Sequence, residues 1–353
     1  MKWVKNRKCN AMNQWPNLIS NANHSQYTKL IRILIRVLTG FGAHGLAPMA
    51  MAMAMAMVLT LAGCAQLPAP APVAPQGTPV PPVTTAPPEI KRPPKIGLAL
   101  GGGASRGFAH VGVIQVLEEA GLKPQFIAGT SAGSLVAAIY ASGKTGGQLQ
   151  QVAETMDEAT IADWSLPIFG RGMLRGEALA RYVNTQVSAQ PIESFPLPLG
   201  IVATDLQSGQ SILFRRGDTG TAVRASSAVP AVFQPVLIGG REYVDGGLVS
   251  PVPVRYARQM GGELVIAVDI SSAPEGNTTG GTLQILLQTF SIMAKSINAF
   301  ELKEADIVVR PALASTSGAD FSSRRRSIEA GRAAMLQALP QLRLKMSELA
   351  RLP

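Results

Sequence analysis

The sequence holds 353 residues, 46% of them hydrophobic and 15% charged, which is ample for a buried core and far from a disordered composition. Its net charge of +10 is unevenly spread: residues 1–63 carry seven Lys and Arg and no Asp or Glu, leaving 25 basic against 22 acidic residues beyond them. That balance argues against a nucleic-acid partner, which needs a basic face on the folded domain. The only cysteines, Cys9 and Cys64, precede that domain and so exclude a disulfide, a Cys metal cluster or a Cys nucleophile within it.

In chain order, Lys29, Arg32 and Arg36 come before an almost purely apolar run over 46–62, which ends in small residues and then prolines. The pattern reads as a secretory signal rather than a spanning helix. Leu61-Ala62-Gly63-Cys64 resembles the lipobox of bacterial lipoproteins. The resemblance implies a diacylglycerol on the Cys64 thiol and cleavage before it. With Ala65 next, it also implies a lipid anchor in the outer membrane of a bacterial cell envelope. The leader is longer than the roughly 15–30 residues usual for a signal, so an initiation site downstream of Met1 also fits. Residues 65–94 hold eleven of the 26 prolines and should form an extended linker, on the order of 90 Å at about 3.1 Å per residue. The expected organisation is a leader over 1–63, a lipidated Cys64 with a Pro-rich linker over 64–94, and one domain over 95–353.

Within that domain, short apolar runs predict strands at 96–100, 126–128, 199–204, 211–214, 234–238, 242–244, 264–269 and 307–309. Helical spacing is expected over 108–120, from Gly133 to about 141, and over 147–157, 176–188, 282–304 and 326–349, with Gly121 closing the first helix. Two successive strand-turn-helix units argue for a parallel α/β sheet. An apolar stretch with Trp164, Leu166, Ile168, Phe169, Met173 and Leu174 reads first as core and second as an acyl-chain entrance.

Gly129-Thr130-Ser131-Ala132-Gly133 spells G-x-S-x-G between a predicted strand and helix, the setting in which a sharp turn lifts a serine hydroxyl clear of the sheet. A second match, Gly103-Ala104-Ser105-Arg106-Gly107, means that the motif alone does not select the nucleophile. A serine nucleophile needs a base. No histidine follows His110, which rules out the α/β-hydrolase order, and His110 itself reads first as a packed or capping residue. A carboxylate acting directly as base is the remaining solution. Asp245-Gly246-Gly247 is the best candidate, although such a tripeptide also makes an ordinary turn. Gly101, Gly102 and Gly103 lack the Lys and Ser/Thr of a phosphate loop and the spacing of a dinucleotide loop, but their N–H groups could face an oxyanion.

Together with His110-Val111-Gly112-Val113 and Ala225-Ser226-Ser227-Ala228-Val229-Pro230, these motifs in this order resemble the patatin-like phospholipase family, especially its bacterial and neuropathy target esterase branches, from about Lys95 to Arg332. The resemblance implies a three-layer α/β/α sandwich with a mainly parallel sheet. It implies Ser131 as nucleophile, Asp245 as proton acceptor, and an oxyanion site at Gly101, Gly102, Gly103 and Arg106, with Gly129, Gly133, Gly246 and Gly247 as motif glycines. Its chemistry is hydrolysis of phospholipid or lysophospholipid acyl esters through an acyl-enzyme, with no metal or cofactor. Ala104 departs from the glycine usual there in the esterase branch. An esterase or thioesterase without phospholipid preference, and a non-catalytic lipid-binding lipoprotein, are the competing expectations.

Overall fold

A computed structural model describes residues 91–157, 159, 163, 171–271, 281–313 and 321–350. The expected leader, Cys64, the linker up to residue 90, and Trp164, Leu166, Ile168 and Phe169 lie outside the described residues. Apolar runs bounded by turn residues become strands β1 (Ile96–Leu100), β2 (Phe126–Thr130), β3 (Gly172–Leu174), β4 (Leu199–Asp205), β5 (Ser211–Phe214), β6 (Ala231–Phe233), β7 (Val236–Ile238), β8 (Arg241–Asp245), β9 (Leu264–Val268) and β10 (Ile307–Val309). The helices are α1 (Phe108–Glu119), α2 (Ala132–Ala141), α3 (Gly146–Thr155), α4 (Glu177–Gln186), α5 (Thr219–Ser226), α6 (Val254–Gln259), α7 (Thr282–Glu301) and α8 (Arg324–Leu349).

The main sheet runs β10-β9-β1-β2-β4-β8-β7, with β5 also paired to β4. Neighbours from β10 to β4 are parallel, while β8, β7 and β5 join antiparallel. Side chains alternate across the pleat, and here the two faces differ in size. Leu98, Leu100, Ile127, Ile201 and Ile266 point to the face covered by α1, α2 and α8. Ala99, Ala128 and Ala267 point to the other, where α6 packs through Val254 and Ala257. Helices on both faces make the fold a three-layer α/β/α sandwich.

The core extends into the last helix. A Cβ on Gly112 of α1 would fall on the Ile328 carbonyl, and one on Gly331 of α8 on the Ala109 carbonyl, so these helices meet backbone to backbone. At the other end, Arg92 pairs bidentately with Glu263 at 2.7 and 2.8 Å, which ties the end of the expected linker to the domain. Gly121 does end α1, with a φ of 71°.

Four elements have no counterpart among the predicted ones. Strands β3 and β6 pair with each other over three residues each, too few to show alternation. Helix α5 is rich in small and β-branched residues and is set by its cap, the Asp218 carboxylate accepting the Thr221 N–H at 2.7 Å. Helix α6, six residues long, is held by burial of Val254, Tyr256 and Ala257 rather than by helical periodicity.

Candidate active site

Ser131 lies between the last residue of β2 and the first of α2, at φ 53° and ψ −124°, a conformation that non-glycine residues avoid. Several contacts fix it there. The Ser131 N–H donates to Ser226 Oγ at 2.9 Å, and the Ser226 hydroxyl donates in turn to the Val202 carbonyl at 2.6 Å. The Ser134 hydroxyl donates to the Ser131 carbonyl at 2.6 Å. Side chains at the flanking glycines would collide with backbone: a Cβ on Gly133 would fall on the Leu100 carbonyl, and one on Gly129 on the Gly133 carbonyl. The elbow's tightness therefore comes from the motif glycines.

Asp245 ends β8. Its position follows from sheet register: Thr130 pairs with Val202 and Ala203 with Asp245. Extending that register by one residue sets Ser131, Ala203 and Asp245 in one row, two strand spacings of about 4.8 Å wide. Bare backbone at Gly246 allows the chain after Asp245 to turn against the Val202 carbonyl. The Gly247 N–H donates to Asp245 Oδ1 at 2.6 Å, and Asp245's own N–H donates to the Ala228 carbonyl at 3.0 Å.

The carboxyl is 6% exposed, and burial raises its pKa to about 6 against the opposing pull of the Gly247 N–H and the Ser131 hydroxyl. Oδ2 has no hydrogen-bond partner of normal geometry. The Ser131 hydroxyl lies close enough to lower the carboxyl's pKa, the smallest of the three influences on it. Together these features give a serine on a strained turn beside a buried carboxylate poised near neutrality.

The Gly loop follows β1, and Gly102 lies directly against the Ser131 side chain. Its donors correct one expectation. Gly101 donates its N–H to the Val268 carbonyl at 3.1 Å and Gly102 to the Pro251 carbonyl at 2.9 Å, so neither faces an oxyanion. Of the three glycines only Gly103 keeps its N–H uncommitted, and the first N–H of α2, at Ala132, has no partner within the helix. Arg106 braces the loop by donating from Nε to the Gly103 carbonyl at 3.2 Å. Ala104, where glycine was the family expectation, takes a φ of 52°.

His110 is fully buried, and its Nε2 lies 2.8 Å from the Gly101 carbonyl. A carbonyl only accepts, so Nε2 carries the proton. Burial lowers the imidazole pKa to about 4, so the ring is neutral and supports the Gly loop. Ser105 sits buried in a 3-10 turn, Ala104–Gly107. Sequence reasoning quoted Ser226 without giving it a role; its alternate bonds to Ser131 and Val202 make it the clamp of the elbow. Nothing in the adjacent letters Ser226 and Ser227 tells which of them would hold the elbow.

A cavity of about 320 Å³ opens at Ser131 and runs between α1, α2 and α3, lined by Phe108, Val111, Leu135, Ile139, Leu149 and Met156 among others. Leu174, from the stretch read as a possible acyl entrance, also lines it. Among the described residues, no cluster of three His, Cys, Asp or Glu could hold a metal ion, and no helix is long and apolar enough to cross a membrane.

Comparison with known proteins adds the following. Residues 98–258 match the family model described as patatin-like phospholipase. An uncharacterized NTE family protein of Mycobacterium tuberculosis is 35% identical over 207 residues, 58% of this chain and 57% of the relative. Patatin-like phospholipase domain-containing protein 6 of Mus musculus is 32% identical over 188 residues, 51% of this chain and 14% of that protein. The chain thus spans little more than half of the mycobacterial relative and a small part of the mouse one. Among solved structures, VipD from Legionella pneumophila superposes with a TM-score of 0.49 at 15% identity, covering 71% of this chain and 67% of that one. The matched region contains the Gly loop, the Ser131 elbow and Asp245, so the likeness to the patatin-like phospholipase family covers the whole candidate site.

Proposed function

We propose that this chain is a serine acyl hydrolase acting on fatty-acyl esters of phospholipids or lysophospholipids, with Ser131 as nucleophile and Asp245 as its base. The observation that carries the reading is the apolar cavity opening on Ser131. Its volume of about 320 Å³ is at the low end of the roughly 300–1,000 Å³ typical of ligand sites, a size for one acyl chain rather than a whole diacyl lipid.

In this mechanism Ser131 Oγ attacks the ester carbonyl carbon while its proton passes to the Asp245 carboxylate. The oxyanion is held by the Gly103 and Ala132 N–H groups at the start of α2, where the helix dipole adds positive potential. Collapse expels the alcohol, which takes the proton from Asp245 and leaves an acyl-serine. Water then attacks the acyl-serine, giving its proton to Asp245, and the fatty acid leaves as Ser131 is reprotonated. A carboxyl poised near 6 by burial suits both proton transfers.

Hydrolysis of a panel comparing micellar phospholipid, lysophospholipid and a soluble short-chain ester tests the reading. Turnover should favour the phospholipid substrates, and Ser131→Ala should abolish it. Equal rates on every ester would leave an esterase without phospholipid preference. Failure of a fluorophosphonate probe to label Ser131 would overturn catalysis altogether in favour of a lipid-binding role.

Attachment to a bacterial outer membrane through a lipidated Cys64 completes the proposal, supported by the lipobox-like Leu61-Ala62-Gly63-Cys64 and the prolines after it. Replacing Cys64 by Ser should move the protein out of the membrane fraction. An unmodified Cys64 within an uncleaved chain, seen by mass spectrometry, would overturn it.

A further inference from the structure

A second cavity, of about 470 Å³, lies among residues that the hydrolytic site does not use. It is bordered by the carboxyl ends of β9 and β10, where Asp269 and Arg310 each follow the last strand residue. Helix α7 contributes Lys295 and Asn298, and the 3-10 turn Leu302–Glu304 contributes Lys303. The carboxyl edge of parallel strands is where α/β sheets hold their ligands.

Two independent features indicate an anion. The first is charge: Asp269 is consumed locally, accepting from Arg310 Nε at 3.1 Å and from the Ser271 hydroxyl at 2.6 Å. Lys295 and Lys303 form no ion pair among the described residues, Lys303 Nζ meeting only the Phe300 ring at 5.3 Å, so the cavity wall keeps two positive charges that no carboxylate balances. The second is Asn298, a residue bordering the cavity that is only 3% exposed and has neither Nδ2 nor Oδ1 hydrogen-bonded. Leaving a buried amide unpaired is costly, and a ligand in the cavity would satisfy it.

The amide also selects among anions, because it offers a donor and an acceptor together. A carboxylate or sulfate only accepts, which leaves Oδ1 unpaired. A phosphate monoester, with three strong acceptor oxygens and a second pKa of about 6, supplies P–O⁻ to Nδ2 and, in its protonated fraction, P–OH to Oδ1. We propose that Asn298, Lys295, Lys303 and Arg310 form a binding site for a phosphate monoester group. The site is independent of ester hydrolysis at Ser131. The group could come from a soluble phosphomonoester or from the exposed phosphate of phosphatidic acid.

Calorimetric titration of the full chain with inorganic phosphate, glycerol 3-phosphate and sulfate tests this. Co-sedimentation with phosphatidylcholine vesicles, with and without phosphatidic acid, separates the two sources. Saturable binding of phosphate or glycerol 3-phosphate is expected, roughly tenfold tighter than sulfate, as a lost charge-assisted hydrogen bond implies. The double variant Lys295→Gln/Lys303→Gln, at exposed positions, should weaken binding by at least about tenfold while turnover of a soluble ester stays unchanged. Asn298→Leu should do the same if it folds. Enhanced vesicle binding that needs phosphatidic acid and both lysines assigns the lipid source; titration without such enhancement assigns the soluble one. The proposal is overturned if none of the phosphate ligands saturates, if sulfate binds as tightly as phosphate, or if the lysine variant binds like the parent.

Discussion

Thr130 Oγ1 donates a 2.8 Å hydrogen bond to the Ser250 carbonyl oxygen, fastening the strand that delivers Ser131 to the turn that follows Asp245. Ser250 is anchored from behind, its hydroxyl donating to the buried Glu301 carboxylate, with Arg255 Nε 3.5 Å from the same oxygen. The segments that carry Ser131 and Asp245 are therefore held by one buried polar chain.

Thr130→Val keeps the shape but leaves the Ser250 carbonyl unpaired, at a cost of about 1–2 kcal/mol in stability. Its larger effect should be on turnover, because misplacing the two groups penalises the transition state. A fall in kcat of about tenfold or more with little change in KM is expected, with Thr130→Ser recovering most of it. Steady-state kinetics beside denaturant unfolding would check this; parental kcat in the Val variant would remove Thr130 from the site's support.

The Asp245 carboxyl should govern the pH profile. It must be ionised to accept the serine proton, so activity should rise with pH through about 6 and level off above. Stability should move the opposite way. The folded pKa of about 6 lies above the ordinary 3.8, so the folded state retains this proton longer than the unfolded chain does. The carboxyl's favourable contribution is complete below the unfolded value and is lost as pH rises toward and through 6. Asp245→Asn should therefore be inactive yet more stable at neutral pH, by roughly 1–3 kcal/mol and a few degrees in Tm. That advantage should vanish near pH 4. Thermal melts at the two pH values decide it.

Backbone strain at Ser131 is separable from its chemistry. Ser131→Ala and Ser131→Gly should both lose activity and probe labelling, but only glycine adopts φ 53° and ψ −124° without penalty. The Gly variant is expected to be about 1–2 kcal/mol more stable than the Ala variant. Ser105→Ala should still be labelled and keep turnover within about tenfold of the parent. Labelling that survives at Ser131→Ala and disappears at Ser105→Ala would reverse the assignment.

The layered sheet was legible because its strands are dense apolar runs and its long helices carry clear periodicity. Strand order was not, since β9 reaches its place beside β1 only through contacts distant in sequence. In the site, the G-x-S-x-G and Asp-Gly-Gly patterns pointed to the residues that the fold places together. The oxyanion donors could not be read in the same way. Gly101, Gly102 and Gly103 look equivalent as letters, and only the acceptors at Val268 and Pro251 reveal which N–H groups are already committed.

His110 offers a check on the dyad. Removing the ring leaves the Gly101 carbonyl unpaired and opens a void, so His110→Ala should lose about 2–4 kcal/mol of stability. Turnover should drop by about ten- to a hundredfold as the Gly loop loosens. The pH midpoint near 6 should nevertheless remain, because a neutral, buried imidazole gives up no proton in that range. A profile that lost its inflection would make the histidine part of the proton path.

Ala104→Gly probes the one departure from the family pattern. At a φ of 52° the alanine carries strain that glycine lacks, so the exchange should be neutral or stabilising by up to about 1 kcal/mol, with activity preserved. Reduced turnover without loss of stability would show that the added rigidity serves the loop.

The position of β1 between β2 and β9 also sets a schedule for the nascent chain. β2 follows β1 almost at once, but β9 emerges only after most of the domain has been synthesised. At roughly 5–20 residues per second, the ribosome takes on the order of ten seconds to make the intervening stretch. During that interval the apolar strand keeps one edge unpaired, and the sheet cannot lock. The same delay exposes the strand to misassembly until β9 arrives.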